Sequence, residues 1–217
     1  MQKVILFDLD GTLIDSTEAI IETFYFTFTK MGFDFQGTRS NIVDLIGYPL
    51  EIMYENLGVS QELVDSYVDE YRIRYRDISV AMTTLLENAT EALTLASSFA
   101  RLGVVTTKTA RYTIPLLVNM KIDHYFECIV GREDVENPKP HPEPILKAMN
   151  LMNISNDNFD IYMIGDTKLD LIAAKEAKIK GVGVLCGHGK FDELREHTQM
   201  IEANSLSAVK SIFNLKK

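Results

Sequence analysis

Residues 4–16 read VILFDLDGTLIDS. Four apolar residues in succession describe a strand buried on both faces, as in a parallel sheet covered by helices. Asp8 and Asp10 stand together at its exit. Two like charges at the end of a buried strand repel each other and resist leaving water. A core carries that cost only with a counter-ion or a chemical use, so the rest of the chain is read for one or the other. In Asp8-Leu9-Asp10 the alternation of a strand sends Leu9 to the core and leaves both carboxylates facing one cavity. Gly11 and Thr12 are then expected to form a tight turn with inward N–H groups, an anion nest.

The apolar run recurs four times: GVVTT (103–107), ECIVG (127–131), DIYMIGD (160–166) and KGVGVLCG (180–187), with helical patterns between. One of those helices is expected to start near Pro115. Buried strands alternating with helices predict an α/β fold, a Rossmann-like parallel sheet core with right-handed crossovers. One interval breaks the rhythm. About 90 residues separate the first strand from the second, where a crossover needs about 12. That interval reads as helices alone. TEAIIETFYFTFTKMGF carries an apolar stripe at Ile20, Ile21, Phe24, Phe28 and Met31. Shorter helices follow in SNIVDLIG and in PLEIMYENLG, the latter bounded by Pro49 and Gly58. Ser60 is expected to cap SQELVDSYVDEYRIRYRD. The expected division is therefore an α/β core of residues 1–15 and 81–217 with an inserted all-helical cap of residues 16–80. LSAVKSIFNLKK reads as a closing helix with a basic end.

Composition narrows the partners. The chain has 217 residues, 46% hydrophobic and 24% charged, ordinary for a well-cored protein. A net charge of −9 argues against nucleic acid or an anionic membrane as partner. It also means that an anionic substrate needs a local positive device. Cys128 and Cys186 lack disulfide or zinc spacing and fit a reduced, cytoplasmic interior. The apolar run at the N-terminus is too short for a signal peptide, and no stretch approaches the ~20 apolar residues that span a bilayer.

Functional groups of a parallel sheet collect at the C-terminal ends of its strands. Those ends carry Asp8 and Asp10, then Thr106 and Thr107, then Asp166, with Asp170 in the first turn of the following helix. Lys139 arrives from the loop ENPKPHPEP, stiffened by its flanking prolines. Four carboxylates facing one lysine are best balanced by a divalent cation with oxygen ligands, Mg²⁺. A phosphoryl group placed there meets Asp8 as nucleophile and Asp10 as acid or base, with Thr106 and Lys139 neutralising its oxygens.

This arrangement resembles the haloacid dehalogenase-like hydrolases, over nearly the whole chain. Four family motifs are present in order: the strand with DLDGT (8–12), the strand ending at Thr106, the lysine Lys139, and GDTKLD (165–170) with Asp166 and Asp170. The helical insert is similar to the family's C1-type cap. The resemblance implies two-step phosphoryl transfer, with Asp8 forming an aspartyl-phosphate and Asp10 protonating the leaving oxygen and then activating water. It further implies Mg²⁺ held by Asp8, the Asp10 backbone carbonyl and Asp166, with Asp170 as ligand or support. Thr106, the Thr107 backbone N–H and Lys139 are implied as the phosphoryl grip.

Single residues sort the relatives. Halide displacement needs no acid at Asp10. Phosphonoacetaldehyde-type enzymes replace Asp10, and hexose-phosphate mutases carry a histidine where Ile20 stands. The stretches GREDVENPKPHPEP and IGYPLE look like the phosphoglycolate phosphatase-like group, with Gly47 and Tyr48 expected to dip from the cap and select substrate. Two departures are noted: the cap-to-core junction lacks a Pro-Gly turn, and Lys178 stands where glycine is common. The expectation is a Mg²⁺-dependent phosphatase of a small phosphorylated metabolite, phosphoglycolate first. An inorganic pyrophosphatase, a sugar-phosphate phosphatase and a phosphomutase are the alternatives, and a monomer or homodimer the expected assembly. A phospho-receiver module lacks the insert and the second acid of DxD; a non-catalytic binding protein needs no intact motif set. Arg72, Arg74 and Arg76 are expected on a solvated cap face, His141 as a loop residue, and His188 as bordering the pocket at most.

Overall fold

The computed structural model describes residues 1–215. Its central sheet holds β1 (Gln2–Phe7), β4 (Ala100–Val105), β5 (Cys128–Val130), β6 (Phe159–Gly165), β7 (Lys180–Val184) and β8 (Ile201–Glu202). All neighbours pair in parallel, in the order β5-β4-β1-β6-β7-β8. The alternation of β1 explains its apolar run: Ile5 and Phe7 enter one core cluster, Val4 and Leu6 another. The first is closed by α5 (Ala89–Ser97), α6 (Ala110–Asn119) and α10 (Ser205–Asn214), the second by α7 (Glu143–Leu151) and α8 (Lys168–Glu176). Both faces are covered, so Val4 to Phe7 are fully buried. A short α9 (Phe191–Arg195) precedes β8.

The chain goes from β1 to β4 on one side, while β6 pairs with the other side of β1. That reversal opens a crevice beyond the C-terminal end of β1, where Asp8 leaves the sheet. Asp8 continues the ladder by donating its backbone N–H to Ile164 O at 2.8 Å.

Between β1 and β4 lie α1 (Thr17–Lys30), α2 (Arg39–Val43), α3 (Leu50–Asn56) and α4 (Gln61–Met82). They share a hydrophobic cluster of their own, built on Phe24, Phe28, Tyr54, Tyr67 and Tyr71. Phe24 meets the Tyr54 and Tyr71 rings at 4.7 and 5.0 Å between centroids. The chain enters and leaves this cap through β2 (Ile14–Asp15) and β3 (Thr84–Leu85), paired antiparallel. α4 runs to Met82, past the expected end of the insert. No helix of the described residues is long and apolar enough to cross a membrane.

Several local expectations are corrected. β8 is only two residues long and gives no periodic signal. Pro115 lies inside α6, which begins after Thr109; the carbonyl its ring leaves unbonded is that of Arg111, an exposed residue. Met31 ends α1 and is 37% exposed rather than part of the stripe. Ser60 precedes α4 without a side-chain cap bond. Lys216 and Lys217, the basic end foreseen for the last helix, lie outside the described residues.

Candidate active site

Asp8, Asp166 and Asp170 place one carboxylate oxygen each within 4.8 Å of one another, all three side chains buried. Local sequence explains the convergence. Asp8 and Asp166 follow directly on β1 and β6, adjacent strands. Thr167 precedes α8, and its backbone N–H and hydroxyl donate to Asp170 Oδ2 at 3.1 and 2.8 Å. Asp170 is thereby turned back toward the strand end. Close approach requires glycine at two points. A Cβ on Gly165 would sit 2.2 Å from Asp170 Cγ, and one on Gly11, which has φ +75°, 2.3 Å from Asp166 Oδ2.

Lys139 answers the acids. Its Nζ lies 2.9 Å from Asp8 Oδ1 and 2.5 Å from Asp170 Oδ1, and donates to Val105 O at 3.1 Å. The side chain is only 2% exposed, yet burial is overridden by the two carboxylates, which hold its ammonium above the usual lysine range. One lysine does not neutralise three buried acids. Burial pushes the Asp8 carboxyl up to about 7, opposed by Lys139 and reinforced by Asp170. Asp166 is driven well above the carboxylate range by burial, then by the charges of Asp8 and Asp170. It accepts from His188 N at 2.7 Å and Thr12 Oγ1 at 3.2 Å, both uncharged donors. The excess negative charge and the all-oxygen donor set fit a hard divalent cation such as Mg²⁺.

Asp10 stands at the rim. Ser16 donates to its Oδ1, and the Lys108 ammonium lies 3.2 Å from Oδ2. Lys108 also donates to Tyr75 OH on α4 at 2.8 Å and lies 4.5 Å from that ring's centroid. A core lysine thus joins the candidate acid–base to the cap. Thr106 closes β4, accepting from Lys108 N through Oγ1 at 3.1 Å. Thr107 donates to Gly47 O at 2.9 Å, a second bridge to the cap. Gly47 and Tyr48 line a cavity of about 60 Å³ together with Asp10, Thr107 and Lys108.

The structure brings together Asp8, Asp166, Asp170 and Lys139, with Thr106 and Asp10 at adjoining strand ends. It alters two readings. Gly11 N and Thr12 N are committed to Ile14 O and Leu9 O, so the turn offers no free anion nest. Of the three arginines expected on a solvated face, Arg76 is exposed and Arg74 pairs with Glu22, whereas Arg72, 34% exposed, also lines the cavity. His141 is an exposed loop residue, as expected, and His188 reaches the site through its backbone N–H. Lys108, Tyr75, Ser16 and Arg132 were not indicated by the sequence; the lysine following Thr106-Thr107 was the one available signal, a charge three residues beyond a buried strand.

Comparison with known proteins settles the family. The haloacid dehalogenase-like hydrolase model matches residues 5–184. The chain belongs to that family. It is 36% identical over 184 residues to the pyrophosphatase PpaX of Anoxybacillus flavithermus, covering 84% of this chain and 83% of the relative. It is 29% identical over 209 residues to a phosphoglycolate phosphatase of Colwellia psychrerythraea, covering 90% of each. Among solved structures, a predicted phosphatase from Clostridium acetobutylicum superposes with a TM-score of 0.89 at 27% identity, over 99% of this chain and all of the other. The α/β core with its helical cap is the fold of this family, and the protein is an enzyme of its phosphatase branch.

Proposed function

We propose that the protein is a Mg²⁺-dependent phosphatase of a small phosphorylated metabolite, working by transfer of the phosphoryl group to Asp8. The observation that carries this reading is the buried triangle of Asp8, Asp166 and Asp170 closed by Lys139. Asp8 attacks phosphorus in line, forming an Asp8 Oδ–P bond as the P–O bond to the leaving group breaks. Asp10, at the cavity rim, gives a proton to that oxygen. In the second step Asp10 takes a proton from water, which attacks phosphorus, releasing orthophosphate and the free Asp8 carboxylate. Lys139, Thr106 and the Thr107 backbone N–H hold the transferring oxygens, where charge accumulates in the transition state. Asp8, Asp166 and the Asp10 carbonyl would hold the cation, with Asp170 supporting Lys139. When bound, the cation shields Asp8 from the incoming anion and draws charge from the phosphoryl oxygens.

Residues 16–80 act as the cap, and Gly47 and Tyr48 restrict what enters. A cavity of about 60 Å³ has room for a few waters, which favours a substrate as small as phosphoglycolate. Pyrophosphate is a second reading, favoured by the similarity to PpaX and by the same small volume. Phosphate release from phosphoglycolate, pyrophosphate, a sugar phosphate and p-nitrophenyl phosphate, with Mg²⁺ or with EDTA, tests the proposal. Turnover that needs Mg²⁺ and vanishes in Asp8→Asn supports it. Turnover that survives either change overturns it.

A further inference from the structure

The cavity that begins at Asp10 is also lined by Glu51, Arg72 and Arg132. Glu51 and Arg72 belong to the cap helices α3 and α4, whereas Arg132 follows β5 in the core. Their pairing is loose: Arg72 Nη2 lies 3.6 Å from Glu51 Oε1, and Arg132 Nε lies 4.0 Å from Glu51 Oε2. Arg72 Nε, Arg132 Nε and Glu51 Oε2 are all buried, and none has a hydrogen-bond partner. Three such atoms in one cluster are unusual, because each leaves a desolvation cost uncompensated. The outer ends of the guanidiniums are anchored, Arg72 Nη1 on Asp69 Oδ1 at 3.4 Å and Arg132 Nη1 on Val135 O at 3.1 Å. Each Nε edge is therefore held in place with its donor unspent.

The other cation on this wall is already engaged: Lys108 serves Asp10 and Tyr75. Lys139 is held between Asp8 and Asp170. In a chain of net charge −9, a polyanionic substrate needs a positive device beyond the one that holds its transferring phosphoryl group. Arg72 and Arg132 balance Glu51 and Asp69, and their unspent Nε edges are planar donors suited to carboxylate or phosphoryl oxygens.

We propose that Arg72 and Arg132 form a second anion subsite spanning cap and core, so that the substrate carries a carboxylate or second phosphoryl group besides the one transferred. This deepens the phosphatase reading and rests on it. Glu51 holds the two guanidiniums in register until the ligand's anion takes their open donors. Because Arg72 is a cap residue and Arg132 a core residue, the same anion ties the two halves together beside Asp10.

The test separates binding from turnover. Pyrophosphate, phosphoglycolate and phenyl phosphate are titrated calorimetrically, with Mg²⁺, into Asp8→Asn and into Asp8→Asn carrying Arg72→Gln or Arg132→Gln. Loss of one charged hydrogen-bond donor set is expected to lower affinity for a second-anion ligand about 10- to 100-fold. The expected result is that the affinity of pyrophosphate or phosphoglycolate relative to phenyl phosphate falls at least about tenfold. A fall confined to pyrophosphate assigns the subsite to a phosphoryl group, and one confined to phosphoglycolate to a carboxylate. A relative affinity unchanged within about twofold, or no binding of either ligand by Asp8→Asn, overturns the proposal. Arg72→Lys and Arg132→Lys keep the charge and replace the Gln variants if their melting temperatures fall. Failure of the phosphatase reading shows separately, as absent phosphate release by the wild-type enzyme.

Discussion

Replacing Asp8 by asparagine is expected to stabilise the metal-free protein while abolishing its activity. Burial raises this carboxyl from 3.8 to about 7, against the pull of Lys139. Between those two values the folded protein keeps a proton that the unfolded chain has released. Stability therefore falls as pH rises through that window, and the full cost is present above it. Each tenfold change in ionisation is worth about 1.36 kcal/mol, so the cost amounts to about 4 kcal/mol at pH 8 and less than half of that at pH 5. Asparagine keeps the shape and carries no charge, so it removes this cost. Urea denaturation in EDTA at pH 8 and pH 5 reads the effect directly. The Asn variant is expected to gain about 4 kcal/mol at pH 8 and clearly less at pH 5. Saturating Mg²⁺ is expected to narrow the gap by stabilising the wild type, about 2.7 kcal/mol at a hundredfold excess over Kd. An Asn variant less stable than wild type at pH 8, or equally shifted at both pH values, refutes the reasoning.

Other consequences follow from the same geometry. Lys139→Met leaves Asp8 and Asp170 without their buried counter-ion and is expected to cost about 3–5 kcal/mol in EDTA, read by urea denaturation, with part restored by Mg²⁺. Lys108→Met removes the link from Asp10 Oδ2 to Tyr75 and is expected to lower kcat about 10- to 100-fold, with KM changing less, in steady-state phosphate release. Lys178, two residues beyond the end of α8, has φ +58°, so Lys178→Gly is expected to stabilise by about 0.5–1 kcal/mol in thermal unfolding without altering kcat.

What could be read in the sequence follows a physical pattern. The aspartates sit where apolar runs stop, and in a parallel sheet those ends meet at one edge, so Asp8, Asp166 and Asp170 were legible as a group. Lys139 was legible through its proline-flanked loop. The cap-to-core contacts were not. Lys108 meets Tyr75, Thr107 meets Gly47 and Arg132 meets Glu51 across 33 to 81 positions of chain, and no local periodicity encodes such pairings. Arg72, Arg74 and Arg76 read alike in the sequence, yet α4 turns Arg74 toward Glu22 and leaves Arg72 against the cavity. The nest expected at Gly11-Thr12 failed because the turn bonds its own N–H groups to Leu9 and Ile14.

The central claim is that the phosphoryl group passes through Asp8. Acid quenching during turnover with Mg²⁺ and the best substrate, followed by mass spectrometry of the peptide spanning residues 4–16, tests it most directly. The account predicts a phosphoryl adduct on Asp8 that forms only with Mg²⁺ and is absent from Asp8→Asn. Steady phosphate release by an Asp8→Asn enzyme, with no adduct on the wild-type peptide, would contradict it.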